Sequence, residues 1–338
     1  MRQTGTTVND EQRKPTISDV ARLAGVSRAV ASRALASEPR PVAADKRQRV
    51  LDAARQLGFK PNLLARSLTT RSVNLVAIVV NHIHDLSDLD LFDLLLSEIQ
   101  GLGKQVILLR VGSVDRVEDF LRSGIAWHVD AVLVFSDFAD AATVRRMFDT
   151  RLTLMLNGRG DADSPAVLTD DACGIAEAVA DAAAKGVRDV VLVTGRATSS
   201  VEAARIASYH AAFACHGLRL LQTLQGDYSY ESGHAAAPAL FDAGEPDAVF
   251  CTADAMAMGI LDVHRASFAD GRPARFRLYG FDDLSLTRFD AYPVASIGYA
   301  KRDYVREILQ ILSEPERFRP GMPPVRVPTR FVPRSSAG

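Results

Sequence analysis

Cysteine is scarce: Cys173, Cys215 and Cys251 are the three in 338 residues. Their odd number, with no C-x-x-C spacing and no nearby His pair, argues against a disulfide framework or a structural zinc. The expectation is three buried thiols. Long hydrophobic runs are missing too, since none approaches the roughly 18 residues needed to cross a bilayer. The first fifteen residues, MRQTGTTVNDEQRKP, hold no apolar stretch of the signal-peptide kind. The chain is therefore read as cytoplasmic, with no membrane partner. The signatures G-x-S-x-G, G-x-x-x-x-G-K-[ST] and H-E-x-x-H are absent, so nothing asks for an enzyme, a metal or a cofactor.

Net charge is nearly absent as well, at −1, but the balance hides an asymmetry. Residues 1–72 hold 14 Lys/Arg against 6 Asp/Glu, and the rest holds 26 against 35. A basic head on an acidic body is the charge footprint of a nucleic-acid-binding module attached to something else. With 47% hydrophobic and 24% charged residues, the chain can build two or three globular cores. Disorder, collagen and coiled coil are excluded.

The order of residues in the head is informative. In TISDVARLAGVSRAVASRAL (16–35), Thr16 and Asp19 have the spacing of a capping box ahead of Val20, Ala21 and Ala24. Gly25 gives a tight turn, Val26 plugs it, and Ser27 caps a second short helix with Ala31, Ala34 and Leu35 on its buried stripe. A third helix is predicted over 45–57, where Val50, Ala53, Ala54 and Leu57 recur at helical spacing. Two short helices about a glycine turn spell helix-turn-helix.

The run D-V-A-x-x-A-G-V-S (Asp19–Ser27), with Ser32-Arg33, Arg47-x-x-Val50, L-G-F-x-P-N (Leu57–Asn62) and A-R-S-L (Ala65–Leu68), resembles the lactose-repressor (LacI/GalR) family of bacterial transcription regulators. The resemblance continues through G-F-D-D (Gly280–Asp283) to the closing V-P-T-R-F-V-P-R-S-S (Val327–Ser336). It implies a ligand-responsive repressor that binds palindromic operator DNA as a homodimer. Arg28, Ala29 and Arg33 would face base edges, where arginine can pair with guanine O6 and N7. Ser18, Ser27, Ser32, Asn62 and Arg66 would touch phosphates. Val30 stands where the family places a hydroxyl residue and cannot make that contact. Residues 61–72 would form a hinge helix too short to be stable alone, with Leu68 as a minor-groove wedge. The expected organisation is a tail at 1–15, the helix-turn-helix domain at 16–60, the hinge at 61–72 and an effector-binding and dimerisation domain at 73–338.

Beyond Val73 the chain alternates. Strands are predicted at 74–80, 105–111, 130–135, 152–156, 189–194, 247–252 and 276–280, separated by helical stretches. That alternation implies parallel sheets covered on both faces, with ligands at the carboxyl ends of the strands. The resemblance implies two Rossmann-like lobes of the type I periplasmic-binding-protein kind. Lobe 1 would take about 73–169 and 297–320, and lobe 2 about 170–296 and 321–333, with crossings near Asp170, Ser296 and Pro320.

The same resemblance carries effector roles to Arg205 and Asp282, a pair suited to vicinal hydroxyls. Tyr228 falls where an aromatic faces a sugar, and Tyr299 replaces a usual glutamine. Ala253 replaces a usual asparagine, removing one polar ligand. In the first lobe the family's N-P-F-F becomes N-H-I-H-D-L-S-D-L-D-L-F (Asn81–Phe92), so Asn81 reaches the cleft beside an unusual loop. His82, His84, Asp85, Asp88 and Asp90 could ligate a metal, but a merely polar loop is the preferred reading. Asn157 and Arg159 follow the strand ending at Leu156 toward the same cleft. If Arg159 joins Arg205, a sugar acid or sugar phosphate competes with a neutral sugar as effector.

Overall fold

The computed structural model describes residues 15–35, 41–59, 73–81, 86–122, 127–135, 140–156, 160–242, 246–267 and 276–338. The predicted hinge with Asn62, Arg66 and Leu68, the His82/His84 loop, and Asn157 and Arg159 lie outside these residues. The chain divides into two compact units, Met1–Val73 and Asn74–Gly338.

In the head, α1 (Ile17–Leu23) opens where Asp19 Oδ2 accepts both the Thr16 N–H at 2.9 Å and the Thr16 hydroxyl at 2.7 Å. Gly25 turns the chain at φ +63°, a left-handed conformation that side chains resist. Ser27 accepts the Val30 N–H to cap α2 (Arg28–Ala34), and α3 (Ala44–Gln56) follows. Val20, Ala21, Ala24, Ala31, Ala34, Val50, Ala53 and Ala54 form the core. Small residues on all three helices let the axes approach closely.

In the body, β1 (Leu75–Val80), β2 (Gln105–Arg110), β4 (Ala131–Phe135) and β6 (Thr153–Met155) form a parallel sheet in the order β2-β1-β4-β6, while β3 (Trp127–His128) and β5 (Phe148–Asp149) make a separate short ladder. Alternate residues of β1 enter opposite cores: Val76, Ile78 and Val80 pack on one face, Ala77 and Val79 on the other. Helices therefore cover both faces, as the unbroken apolar run LVAIVV requires.

The second sheet has seven strands in the order β7-β13-β12-β11-β10-β8-β9. Its members are β7 (Val167–Asp170), β8 (Asp189–Thr194), β9 (Arg219–Gln225), β10 (Ala248–Cys251), β11 (Arg277–Phe281), β12 (Ala295–Tyr299) and β13 (Val325–Val332). Residues 167–170, 219–225, 295–299 and 325–332 were not among the predicted strands. Edge strand β9, RLLQTLQ, alternates without a buried face. Strand β13 runs antiparallel to β12 but parallel to β7, so the sheet is mixed. Val325 and Val327 pack with the first lobe's core and Phe331 with the second's. The last crossing thus falls inside β13, near Pro328, and not near Pro320.

Among the described residues no helix is long and apolar enough to cross a membrane. The thiols correct one expectation: Cys251 is buried, but Cys173 and Cys215 are exposed. Both sit on outward turns of helices, Asp171–Ala184 and Ser200–His216, whose opposite faces carry Ile175, Val179, Tyr209 and Phe213 to the core.

Candidate functional site

On the head, Ser18, Ser27, Arg28, Ala29, Ser32 and Arg33 are all exposed, and Val30 is half-buried. Arg22, Arg49 and Arg55 spend their charge on Asp19, Asp45 and Asp52 of their own helices. Among the described residues Arg28 and Arg33 form no ion pair, so the start and end of α2 present two uncommitted guanidinium groups beside three hydroxyls.

The body holds a cavity of about 420 Å³ at the carboxyl ends of its strands. Asn81 after β1 and Phe135 at the end of β4 come from the first lobe; Arg196 after β8, Tyr228 after β9 and Asp282 after β11 come from the second. Tyr299, at the end of β12, joins them, as does Arg205 from helix Ser200–His216. Five of the seven expected effector residues, Asn81, Arg205, Tyr228, Asp282 and Tyr299, therefore line one cavity.

Arg205 is only 8% exposed. Its Nε donates to Asp171 Oδ2 at 2.9 Å, its Nη1 donates to the Thr252 carbonyl at 2.9 Å, and its guanidinium lies 3.6 Å from the Phe281 ring centroid. Burial alone would lower its pKa, but the carboxylates of Asp171, Asp282 and Glu202 outweigh it and raise the value. Arg205 is thus a permanent, neutralised cation, fixed in orientation by a carboxylate, a carbonyl and a ring.

Glu202, one helical turn earlier, is buried. It accepts the Gly195 N–H at 2.5 Å, the Thr252 hydroxyl at 2.6 Å and the Tyr228 hydroxyl at 2.9 Å. Tyr228 adopts φ +75°, a conformation costly for a bulky side chain, and the Glu202 bond holds it there. Its ring lies so close to Gly195 that a Cβ there would sit 1.8 Å from the ring, and the Arg196 guanidinium is 4.6 Å from the ring centroid. The aromatic expected to face a sugar is therefore a braced wall of the cavity that already carries a cation.

Asp282 and Asp283 also have positive φ, +103° and +46°. Lys301 Nζ donates to both their carbonyls, at 3.1 and 3.2 Å, and lies 3.9 Å from Asp90 Oδ2. Asp90, from helix Leu86–Gly101 of the first lobe, also accepts the Ser285 N–H at 2.9 Å. One acid–lysine cluster thus clasps the two lobes beside the cavity and fixes the strained backbone that presents Asp282.

A family model described as "Bacterial regulatory proteins, lacI family" matches residues 16–62, and one described as "Periplasmic binding protein-like domain" matches residues 179–337. The HTH-type transcriptional regulator CelR of Thermobifida fusca is 28% identical over 319 residues, covering 90% of this chain and 92% of that protein. The chain belongs to the LacI family. Like other LacI-family proteins it is a DNA-binding transcriptional regulator with an effector-binding domain, not an enzyme. Its fold matches the lac repressor dimer bound to operator and the anti-inducer ONPF, with a TM-score of 0.79 at 20% identity over 96% of this chain and 99% of that one. The CelR–cellobiose complex matches with a TM-score of 0.67 at 25% identity, over 96% and 100%.

For this LacI-family chain, reading the sequence missed Asp171, Glu202 and Arg196. Asp171 and Glu202 lie in the first turns of helices, where an acid is ordinarily a dipole complement. The available signal was Glu202 three residues before Arg205, one face of one helix carrying opposite charges.

Asp254 is a further buried acid near the site. It accepts the Leu284 N–H at 2.9 Å and the Ser296 hydroxyl at 2.7 Å, tying down the loop after Asp282. Burial, reinforced by Asp282 and Asp283, holds its pKa well above the ordinary carboxylate range. A carboxyl with a raised folded-state pKa contributes stability that is complete at acid pH and is lost as pH rises through the folded value. Asp254→Asn, which can accept from Leu284 N and donate to Ser296 Oγ, should therefore gain on the wild type as pH rises from 4 toward 8. Melting curves across that range check this, and a constant difference would show that Asp254 keeps an ordinary pKa.

Proposed function

We propose that the chain is a homodimeric repressor whose affinity for a palindromic operator is set by a sugar or sugar derivative bound in the body cavity. In this reading Arg28, Ala29 and Arg33 read bases, Ser18, Ser27, Ser32, Asn62 and Arg66 hold phosphates, and Leu68 wedges the minor groove. Arg205, Asp282, Tyr228, Tyr299 and Asn81, joined by Asn157 and Arg159, hold the effector. The observation that carries the reading is the oriented Arg205 in a cavity built by both lobes, since a ligand touching both lobes favours one lobe arrangement over another. The cellobiose bound by CelR supports a sugar as the effector class.

The test is operator affinity, on a site obtained by selection from random DNA, with and without sugars. A repressor of this design changes affinity about 5- to 150-fold on effector binding. No change with any ligand that binds the body would defeat the proposal. On the same DNA, Arg28→Ala or Arg33→Ala should cost about 1–3 kcal/mol on the selected site and far less on random sequence. Equal losses on both would reduce these residues to phosphate contacts.

A further inference from the structure

The effector reading leaves the charge of the ligand open, and one atom bears on it. Asp171 lines the cavity, and its side chain is nine-tenths buried. Its Oδ2 accepts from Arg205, whereas its Oδ1 is buried with no hydrogen-bond donor among the described residues. A buried carboxylate oxygen left without a donor is costly, so a site keeps one where a ligand supplies the missing hydrogen.

The surrounding charges point the same way. Among the described residues the cavity wall carries Arg196, Arg205 and Arg326 against Asp170, Asp171 and Asp282, with Glu202 behind Arg205. Arg205 is already bonded to Asp171, and Arg196 donates to the Asp227 carbonyl at 3.0 Å and lies against Tyr228. An anion placed beside Asp171 would meet a fixed negative charge in a place sheltered from water.

We infer that Asp171 is the specificity-determining residue of the effector site: its Oδ1 accepts a hydroxyl hydrogen from the ligand, and the ligand is an uncharged polyol, with sugar acids and sugar phosphates excluded. The inference rests on the proposed effector cleft and narrows the class of ligand that fits it. Asp171 discriminates through both effects together: the unmet acceptor rewards a hydroxyl, and the like charge rejects an anion.

The experiment uses the full chain. Thermal unfolding is followed with glucose, galactose, ribose and cellobiose, and with glucuronate, galacturonate, glucose 6-phosphate and ribose 5-phosphate; the best binder and its charged counterpart are then titrated calorimetrically. A neutral member should stabilise the wild type while its charged counterpart does not. Asp171→Asn should weaken the neutral ligand about tenfold or more and narrow the gap to the charged one, a change of selectivity that a merely structural residue would not produce. An anionic sugar that stabilises the wild type better than its neutral counterpart overturns the inference, even if the variant does not fold. So does a neutral ligand whose affinity and selectivity survive Asp171→Asn. A ligand whose binding is unmoved by Asp282→Asn sits elsewhere and overturns the cleft reading itself.

Discussion

Arg205→Ala should destabilise the body by about 3–5 kcal/mol and abolish the effect of any effector on operator binding. The stability loss follows from what the guanidinium leaves behind. Asp171 would lose its 2.9 Å partner, and Glu202, buried one turn away, would lose a positive charge it interacts with. Glu202 is fully buried and Asp171 is nine-tenths buried in the cavity wall, so neither charge is well hydrated. The Thr252 carbonyl, bonded at 2.9 Å, and the Phe281 ring, packed at 3.6 Å, lose their contacts too. An arginine read only as a ligand contact would cost binding and little stability, so denaturant unfolding separates the two accounts. Adding Asp171→Asn to Arg205→Ala should return part of the loss, because it removes one stranded charge. Full additivity of the two changes would mean that the pair does not interact. At a temperature where the variant is folded, operator titrations with and without effector should coincide.

The contrast between head and body shows where a sequence speaks for itself. In the head, the signals are local. Thr16 finds Asp19 three residues on, Gly25 takes the left-handed turn its position announces, and Ser27 caps the helix that begins at the next residue. In the body, the central strands are legible because LVAIVV, AVLVF and the VVLV within DVVLVT are unbroken apolar runs, as strands covered on both faces must be. The polar edge strand β9 and the lobe-crossing β13 lack that signal, and β13 even contains Pro328. Arg205 and Asp282 were legible only through family resemblance. Asp171 meets Arg205 across 34 residues, Thr252 meets Glu202 across 50 and Ser285 meets Asp90 across 195. No pattern within a helix or a strand encodes such pairs; they exist only once the sheets have brought strand ends together. The exposed thiols follow the same logic, since which turn of a helix faces out is decided by its other residues.

Gly233→Ala should be among the most damaging single-methyl changes in the second lobe, costing about 3 kcal/mol, at the upper end of what overpacking usually does. Gly233 lies in helix Tyr230–Asp242, which packs on helix Asp254–Ser267. A Cβ at Gly233 would sit 2.1 Å from the Met256 carbonyl oxygen and 2.5 Å from its Cα; one at Gly259 would sit 2.2 Å from the Tyr230 carbonyl oxygen and 2.6 Å from the His234 nitrogen. These are backbone atoms, which cannot swing aside as a side chain can, so the two helices must part. Parting them reaches the cavity. One helix begins two residues after Tyr228, whose hydroxyl is held by Glu202, and the other begins at Asp254, which anchors Leu284 beyond Asp282. Effector affinity should therefore fall along with the denaturation midpoint. Gly101→Ala is the control: a Cβ there meets nothing within 4 Å, and the residue closes helix Leu86–Gly101 without a positive φ, so it should be neutral or slightly stabilising. If Gly233→Ala unfolds at the same denaturant concentration as Gly101→Ala, the helix pair yields more easily than its backbone contacts imply, and the stiffness assigned to the Tyr228 wall would have to come from Glu202 alone.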